Sequence, residues 1–380
     1  MRVCLVYDCL YPYTVGGAER WYRNLALRLA ADGHDVTYLT RRQWKRQEPP
    51  VIAGVRVVAV SPATELYTSG RRRLLPPLAF GLGVLRHLLV HGGRYDVVHT
   101  ASFPYFSLLA AWTAATAHRY RIVVDWHEVW TDGYWREYLG RGGAVGAAIQ
   151  RLCLRVPQQA FCFSELHAHR LASKGVNGRV VTLRGQYAGR AAEPTPPALR
   201  VVYAGRHVPE KRVTAIVPAV LAARERVPGL GAAIYGDGPD RIRVLQQIAG
   251  AGGNGTLEAP GFVPQDVVEH GIGSSLCLVL PSQREGYGLV VVEAVARGTP
   301  VVVVAGPDNA AVELVEAGVN GYVATSAEPA ELADAIAKIF DAGEALRRST
   351  REWFSRHERD LSIEASLDAV AAAYREATRD

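Results

Sequence analysis

The feature that most constrains the fold of this chain is an alternation of short apolar runs with amphipathic helical stretches, repeated on both sides of a proline-rich break. The β-like runs before the break are 2–7, 35–40, 55–60, 96–100, 121–125, 160–163 and 180–183, and those after it are 199–203, 231–235, 276–280 and 300–304. The stretches between them have helical periodicity, clearest where Trp21, Leu25 and Leu29 recur. This alternation predicts a doubly wound α/β architecture with mainly parallel sheets.

A chain of 380 residues is longer than a single hydrophobic core usually supports, so two domains are expected. The proline-rich break predicts where they divide. We predict an N-terminal Rossmann-like domain over 1–188, a linker over 189–198, a C-terminal Rossmann-like domain over 199–359 and a last helix over 360–380 that packs back on the N-terminal domain. Ligands bind beyond the carboxyl ends of the strands in such sheets. Two facing domains of this kind therefore predict an interdomain cleft as the ligand site.

Charge is distributed unevenly between the two halves. Residues 1–190 hold 25 Lys and Arg against 12 Asp and Glu, whereas residues 191–380 hold 18 against 25. Basic clusters lie at 41–46 and 71–73, and the second precedes the apolar stretch 74–90. This pattern is typical either of a solvated loop beside a core helix or of a peripheral contact with anionic lipid. No recognition motif accompanies the charge, so we expect no nucleic-acid partner.

The remaining composition bears on the compartment. No apolar run reaches the length of a membrane-spanning helix, and the first residues indicate a buried strand rather than a signal peptide. The five cysteines are scattered and show no paired or zinc-binding spacing. We therefore expect a cytoplasmic protein, with the inner face of the membrane as the place of any lipid contact.

Two segments carry residues suited to a phosphorylated ligand. Gly16 and Gly17 precede the first helix, where backbone amides approach a ligand closely and the helix N-terminus favours negative charge. In the segment 201–211, Arg206 follows a strand and Lys211 lies near the start of the next helix, which suits a diphosphate. The chain has only four lysines, so a lysine in this place is informative. An ordinary turn and a surface Arg–Lys pair explain these segments equally well when each is taken alone.

The third segment, 281–294, is the most specific. Glu285 lies in the turn after a strand and Glu293 follows on the helix. The residues whose amides form the helix start are Gly286, Tyr287, Gly288 and Leu289. A carboxylate in the turn can accept hydrogen bonds from sugar hydroxyls, the helix amides can hold phosphate, and the second carboxylate can bind a ribose diol. Glu293 is flanked by valines, and a charge in that setting needs a partner.

Together these segments resemble the family 4 glycosyltransferases, which are retaining enzymes of the GT-B fold, and the similarity runs over nearly the whole chain. Glu285 and Glu293 resemble the E-x7-E signature of that family, and 205–211 resembles its diphosphate clamp. Gly16-Gly17 matches its glycine-rich first turn. Two further family segments are matched at 235–239, which contains Gly236, and at 261–264, where Val263 lies near the nucleobase.

The resemblance also implies a role for each residue. Glu285 would hold hydroxyls of the donor sugar, Glu293 would hold the ribose, and Arg206 and Lys211 would neutralise the leaving diphosphate. His127, which follows the fifth strand, would face the donor sugar. The resemblance places the acceptor mainly on the first domain, where Trp126, Trp130, Tyr134 and Trp135 cluster beside His127. Aromatic faces there predict either a stacking surface for an acceptor or a packed loop.

The reaction implied by the resemblance is front-face transfer of a hexosyl unit from a UDP-, GDP- or ADP-linked sugar to a hydroxyl of a sugar, glycolipid or small-molecule acceptor. No Asp-x-Asp motif indicates a bound divalent cation, so we expect neither a metal nor another cofactor. A nucleotide-sugar epimerase or hydrolase, or a non-catalytic carbohydrate- or lipid-binding protein, remains an alternative with the same fold. An oxidoreductase is disfavoured because neither half carries the dinucleotide fingerprint.

Overall fold

In the computed structural model the described residues are 1–380 without 46, 65–66, 69–70, 73–74, 194, 253–254 and 377–380. Arg46, Arg73 and Pro194, which belong to segments singled out above, therefore lie outside the described residues. The chain divides into two units, Met1–Gln186 with Glu364–Asp380, and Tyr187–Ile363. Each unit is built on a parallel sheet covered by helices, which confirms the predicted architecture of two Rossmann-like units.

The first unit contains a seven-stranded sheet in the order β3-β2-β1-β6-β7-β8-β9. Its strands are β1 (Arg2–Val6), β2 (Asp35–Arg41), β3 (Val55–Ser61), β6 (Val97–Ala101), β7 (Arg121–Trp126), β8 (Gln159–Cys162) and β9 (Val180–Thr182), and a separate antiparallel pair is formed by β4 (Tyr67–Thr68) and β5 (Arg71–Arg72). The residues of β6 are buried throughout, as expected for a central parallel strand covered on both faces.

Among the described residues of the first unit there are seven α-helices. They are α1 (Gly17–Ala31), α2 (Leu75–His91), α3 (Phe106–Ala114), α4 (Asp132–Leu139), α5 (Gly143–Leu154), α6 (Glu165–Ser173) and, from the end of the chain, α12 (Ile363–Glu376). Helix α1 buries Trp21, Leu25 and Leu29, the residues whose spacing predicted it.

The second unit contains a six-stranded sheet in the order β12-β11-β10-β13-β15-β17. Its strands are β10 (Ala198–Ala204), β11 (Gly231–Tyr235), β12 (Leu257–Gly261), β13 (Ser275–Leu280), β15 (Val301–Val304) and β17 (Gly321–Ala324), and a short parallel pair is formed by β14 (Arg284–Glu285) and β16 (Asp308–Asn309). The helices of this unit are α7 (Ile216–Ala223), α8 (Arg241–Gly250), α9 (Gln265–Gly273), α10 (Leu289–Val295) and α11 (Pro329–Leu361). Helix α11 bends at Gly343, whose φ is 54°.

The strand order defines where a ligand site belongs in each unit. In the first sheet, successive strands are added outward from β1 on one side and from β6 on the other, so the strand order reverses between β1 and β6. In the second sheet the strand order reverses in the same way between β10 and β13. The loops that leave the two central strands at their carboxyl ends diverge at such a point, and this opens a crevice in which ligands bind. Site residues are therefore expected after β1 and β6, and after β10 and β13.

The boundary between the units differs slightly from the predicted one. The second unit begins at Tyr187, which packs in its hydrophobic core and forms a ring contact with Phe354. The segment predicted as a linker is also attached to this unit, since the Ala192 amide donates to the Ala296 carbonyl and Arg347 donates to the Thr195 carbonyl. At the other end, α11 continues to Leu361, so the last helix begins at Ile363 rather than at residue 360.

Helix α12 belongs by its contacts to the first unit, to which the sequence assigned it. The guanidinium of Arg28 on α1 lies 2.7 Å from Glu364 and 2.6 Å from Asp368. The apolar face of α12 buries Leu367, Val370 and Tyr374. None of the helices among the described residues is long and apolar enough to cross a membrane.

Candidate functional site

The strongest contact among the predicted site residues joins Lys211 and Glu285. The Nζ atom of Lys211 lies 2.7 Å from Oε1 of Glu285, and only 17% and 12% of the two side chains are exposed. Lys211 follows β10 and Glu285 follows β13, the two strands that flank the reversal in the second sheet. The strand order thus brings together a cation and a carboxylate that are far apart in sequence.

Lys211 occupies a different local structure from the one expected. It ends a 3-10 turn, Pro209–Lys211, and the following residue, Arg212, has a φ of 48°. Helix α7 begins only at Ile216, so Lys211 does not lie in the first turn of a helix. Its ammonium also donates to the Arg284 carbonyl at 3.3 Å, which fixes the lysine against the segment that carries Glu285.

The segment around Glu285 is held by side chains that the sequence analysis did not identify. The hydroxyl of buried Ser282 donates to Oε1 of Glu285 at 2.8 Å. The buried amide of Asn309 donates to the carbonyls of Ser282 and Val304, at 3.1 and 2.8 Å. The pairing of β14 with β16 aligns Glu285 with Asn309. These bonds tie the turn that carries Glu285 to β16, so the protein's own groups hold the carboxylate in position.

The start of α10 has the predicted form, with one requirement for glycine. Gly288 precedes the helix with a φ of 97°, and a Cβ on it would lie 2.7 Å from the Cβ of Ala311. A residue with a side chain would be strained there and would collide with its neighbour. No side chain caps the helix at Gly288, and Gly286, Tyr287 and Leu289 are each half-buried.

Glu293 lies in the second turn of α10. It is half-buried, whereas Val292 and Ala294 on either side of it are fully buried. Arg297, one turn later, donates to the Glu293 carbonyl at 2.8 Å and lies 2.8 Å from Glu269. The glutamate therefore lies at the edge of the core, between residues that are fully buried.

Arg206 and Gly236 lie in loops that follow neighbouring strands and touch through their backbones. The Gly205 amide donates to the Tyr235 carbonyl and the Gly236 amide donates to the Gly261 carbonyl, at 3.1 and 2.9 Å. Gly236 has a φ of 117°, and a Cβ on it would lie 1.9 Å from the Gly205 oxygen. Only glycine allows this approach. The Arg206 side chain is exposed. The backbone carbonyl of Arg206 accepts a hydrogen bond of 2.9 Å from the buried Tyr203 hydroxyl.

Val263 is half-buried and follows β12 at the outer edge of the sheet, beside exposed Phe262. Since β12, β11, β10 and β13 are successive neighbours, Val263, Gly236, Lys211 and Glu285 lie in that order along one edge of the second sheet. An elongated ligand with an aromatic base at one end and a sugar at the other would match this order.

In the first unit, Gly16 and Gly17 stand at the start of α1, which follows β1 at the reversal in the first sheet. A Cβ on Gly16 would lie 2.5 Å from Oε2 of Glu19, so the glycine makes room for that carboxylate. Gly17 has open space beside it. The chain's own buried Glu19 thus supplies negative charge at the positive end of this helix.

His127 follows β7 and is stacked on Phe163, with ring centroids 4.7 Å apart. Tyr7 and Tyr22 present their rings to it at 6.5 and 6.4 Å. Burial lowers the pKa of His127, and the nearby carboxylates of Asp125 and Glu128 oppose that shift only in part. The imidazole is therefore held neutral at neutral pH, in a form that can accept a hydrogen bond from a hydroxyl group.

Behind His127 lies a buried polar chain that the sequence analysis missed. Trp21 Nε1 donates to Asp125 Oδ2 at 2.7 Å, His99 Nε2 lies 2.9 Å from Asp125 Oδ1, and His99 Nδ1 lies 2.6 Å from the Tyr374 hydroxyl. Burial acts to raise the pKa of Asp125, but His99 and the hydrogen bonds outweigh it and the net pKa lies below the usual 3.8. The sequence signal was a carboxylate at the end of an apolar strand, which requires a partner.

The aromatic residues proposed for the acceptor divide into two groups. Trp126 and Trp135 are buried in the hydrophobic cluster of the first unit, and Trp126 donates to Gln158 at 2.8 Å. Their buried rings match the packed loop rather than the stacking surface, the two alternatives that the sequence left open. Trp130 and Tyr134 are half-buried, lie 4.7 Å apart in an edge-to-face arrangement, and keep part of their surface open.

The five cysteines are buried free thiols. Among the residues that the structure describes, no group of three His, Cys, Asp or Glu side chains is arranged to hold a metal ion.

Comparison with known proteins gives matches to two family models. Residues 15–184 match the model described as Glycosyltransferase Family 4, and residues 192–353 match the model described as Glycosyl transferases group 1. Glycogen synthase of Mycobacterium tuberculosis is 28% identical over 417 aligned residues, which cover 100% of this chain and 95% of that protein.

Two solved structures show the same fold. Sucrose-phosphate synthase from Thermosynechococcus elongatus superimposes with a TM-score of 0.80 at 18% identity, over 99% of this chain and 98% of that chain. The Anabaena protein Alr3699/HepE, crystallised in complex with UDP-glucose, superimposes with a TM-score of 0.72 at 18% identity, over 99% of this chain and 100% of that chain.

Proposed function

This chain belongs to the family 4 and group 1 glycosyltransferases, and from that premise we propose that it is a retaining enzyme that moves a hexosyl unit from a nucleotide sugar to a hydroxyl acceptor. The acceptor class comprises sugars, glycolipids and small molecules. The observation that carries the proposal is the Lys211–Glu285 contact of 2.7 Å at the reversal of the second sheet. It presents a cation for phosphate and a carboxylate for sugar hydroxyls at the place where α/β sheets bind ligands.

The roles proposed for the second unit follow the order of its loops. Arg206 and Lys211 neutralise the diphosphate, and the amides from Gly286 to Leu289 donate to its oxygens. Glu285 accepts hydrogen bonds from the donor sugar and Glu293 from the ribose, while Val263 packs against the base. This assignment is supported by the rigid backbone packing of the Gly205 and Gly236 loops, which fixes Arg206 at the same edge.

Front-face transfer needs no protein nucleophile. The bond between the sugar C1 and the phosphate oxygen breaks, and negative charge develops on the diphosphate, where fixed donors lower the barrier. The acceptor oxygen bonds to C1 from the same face, and its proton passes to the departing phosphate oxygen. Retention is supported by membership in family 4, and His127, neutral and half-buried, supplies a polar group on the first unit.

Three finer points belong to the proposal. The donor is proposed to be a UDP-hexose, supported by the fold shared with a protein crystallised with UDP-glucose, with GDP and ADP sugars as the alternatives. The reaction is proposed to proceed without a divalent cation, supported by the two cations, Arg206 and Lys211, that follow β10. A cytoplasmic location is proposed from the five buried free thiols, which suit a reducing compartment.

A thermal-shift panel of UDP-, GDP- and ADP-sugars, with and without EDTA, tests the proposal. A donor at a hundred times its Kd stabilises the folded state by about 2.7 kcal/mol. We expect UDP-sugars to raise the Tm of the wild type equally with and without EDTA, and to lose this effect in Glu293→Ala. The control is Glu352→Ala, which removes an exposed glutamate from α11 of the same unit. A wild type that no nucleotide sugar stabilises would contradict the donor site.

Product analysis separates transfer from the alternatives. With UDP-hexose and a mixture of sugar and glycolipid acceptors, a transferase releases UDP and forms a glycoside with the anomeric configuration of the donor. A hydrolase forms the free hexose, an epimerase changes the donor without releasing UDP, and a binding protein yields no product. An inverted glycoside would contradict retention while leaving transfer itself intact.

A further inference from the structure

Helix α2 exposes a stripe of apolar side chains to solvent. Its members, which we call the α2 stripe, are Leu75, Leu78, Ala79, Leu82, Arg86, Leu89 and Val90, all of them exposed. Leu82 and Val90 are each 68% exposed. They recur at helical spacing, so they lie on one face of the helix. The other described helices expose at most two large hydrophobic side chains each.

The stripe is not needed to hold the helix in place. The opposite face of α2 buries Phe80, Val84 and Leu88 in the core of the first unit. Gly81 and Gly83 let the helix approach Phe106 and the Val60 carbonyl closely, since a Cβ on either would collide with them. A surface helix anchored in this way usually carries polar residues on its outer face. A contiguous apolar stripe on that face marks a surface that contacts a partner.

The surroundings of the stripe are basic. Arg86 is the one charged residue on it, and within α2 the structure describes every position. The short pair β4–β5, with Arg71 and Arg72 in its second strand, ends just before the helix, and exposed Arg94 follows the helix. In the sequence from 49 to 95 the only acidic residue is Glu65. An occupant of this face must therefore accept apolar side chains and positive charge together.

We propose that the α2 stripe docks on an anionic phospholipid surface, with the leucines in the acyl boundary and Arg86 and Arg94 at the headgroups. An anionic lipid surface offers both an apolar layer and negative charge. A second copy of the chain offers the apolar layer but adds a like charge, because the first 190 residues carry 25 basic against 12 acidic residues. The inference is independent of the transfer reaction, since neither α2 nor the basic residues near it has a role in that reaction.

Co-sedimentation of the full chain with vesicles tests the docking surface. One set of vesicles consists of phosphatidylcholine alone, and the other of equal parts phosphatidylcholine and phosphatidylglycerol. We expect the wild type to bind the anionic set and not the neutral set. Leu82→Glu is expected to weaken this binding about tenfold or more, because it places a carboxylate in the acyl boundary. Arg86→Gln is expected to weaken it about fivefold, the effect of one basic residue near an anionic surface.

Two matched variants on α8 of the second unit serve as controls. Ile242→Glu makes the same kind of change at a side chain that is 67% exposed, and Arg243→Gln removes an exposed arginine. Both are expected to bind anionic vesicles like the wild type. Circular dichroism and the Tm establish that each variant folds. If Leu82→Glu lowers the Tm, it is replaced by Leu89→Glu, which lies about two turns further along the same face of α2.

Several results would overturn the proposal. A wild type that stays in solution with anionic vesicles, or that binds both sets equally, removes the case for an anionic lipid. Equal losses in Leu82→Glu and Ile242→Glu place the contact elsewhere. A wild type whose light-scattering mass is that of a dimer, and which becomes monomeric in Leu82→Glu, assigns the stripe to a second copy. If Leu82→Glu loses vesicle binding but keeps the donor-induced rise in Tm, the result supports the docking surface and shows that donor binding does not depend on it.

Discussion

At the scale of single residues, the contact between Lys211 and Glu285 couples two proposed functions. The carboxylate that would bind the sugar is also the partner of the cation that would bind the phosphate. Ser282 provides a second hydrogen bond to the same oxygen of Glu285. Glu285 therefore stays anchored when Lys211 is removed, and the loss of Lys211 should act mainly on the charge that develops in the reaction.

We predict that Lys211→Met lowers kcat about a hundredfold to a thousandfold, which is the effect of removing one preorganised group that stabilises developing charge. The measurement is the initial rate of UDP release under saturating donor and acceptor. Lys338→Met is the matched control, because Lys338 also lies 2.7 Å from a carboxylate, that of Asp334, but on the exposed surface of α11. Equal rates in Lys211→Met and Lys338→Met would show that Lys211 takes no part in the reaction.

The residues of the site could be predicted from the sequence only where they form a recognisable pattern within one short segment. Glu285, Glu293 and the glycines before α10 form one such pattern within a short segment. The Lys211–Glu285 contact could not be derived from spacing, since it depends on β10 and β13 being neighbours in the sheet. For Trp126 and Trp135 the sequence left a stacking surface and a packed loop both open, because it shows which residues are aromatic but not which side of the loop faces the core.

At the scale of elements, the β-like runs predicted the central strands of both sheets closely, for example β11 at Gly231–Tyr235. Two edge strands were missed, and each has a physical reason. β12 contains Pro260 and alternates buried with exposed residues, and proline argues against a strand in sequence. β17 has only four residues and begins with a glycine. The segment of β14 is predicted as a turn, because a strand of two residues leaves no periodicity in the sequence.

Helix α12 shows how one element at the end of the chain supports the site in the first unit. Its Tyr374 hydroxyl lies 2.6 Å from His99 Nδ1, and His99 in turn lies 2.9 Å from Asp125, two residues before His127. His99, Asp125 and Tyr374 are all buried. Because the imidazole faces a carboxylate on one nitrogen and the hydroxyl on the other, each partner fixes the orientation of the next.

We predict that Tyr374→Phe destabilises the first unit by about 2 kcal/mol, because it leaves a buried imidazole nitrogen without a hydrogen bond. For a unit of this size the Tm should fall by about 4–8 °C. Tyr322→Phe, which removes a hydroxyl from a half-buried tyrosine of β17, is the control and should leave the Tm nearly unchanged. A Tyr374→Phe protein with the Tm of the wild type would show that the hydroxyl contributes nothing to stability.

At the scale of the whole molecule, each unit has its own sheet and its own hydrophobic clusters. The chain passes from one unit to the other after Gln186 and again after Ile363. The proposed donor residues, apart from Gly16, Gly17 and His127, lie in the unit Tyr187–Ile363, whereas α2 and Tyr374 lie in the other. Binding of the donor and the loss of the Tyr374 hydroxyl should therefore act on different cores.

This separation predicts two transitions in differential scanning calorimetry of the full chain. UDP-hexose at a hundred times its Kd should raise one transition by about 5–10 °C, since about 2.7 kcal/mol of binding free energy stabilises a unit of fewer than 200 residues. Tyr374→Phe should lower the other transition and leave the donor-sensitive one in place. A single transition that responds to both changes would mean that the two cores unfold together, because stabilising either unit then stabilises the whole chain.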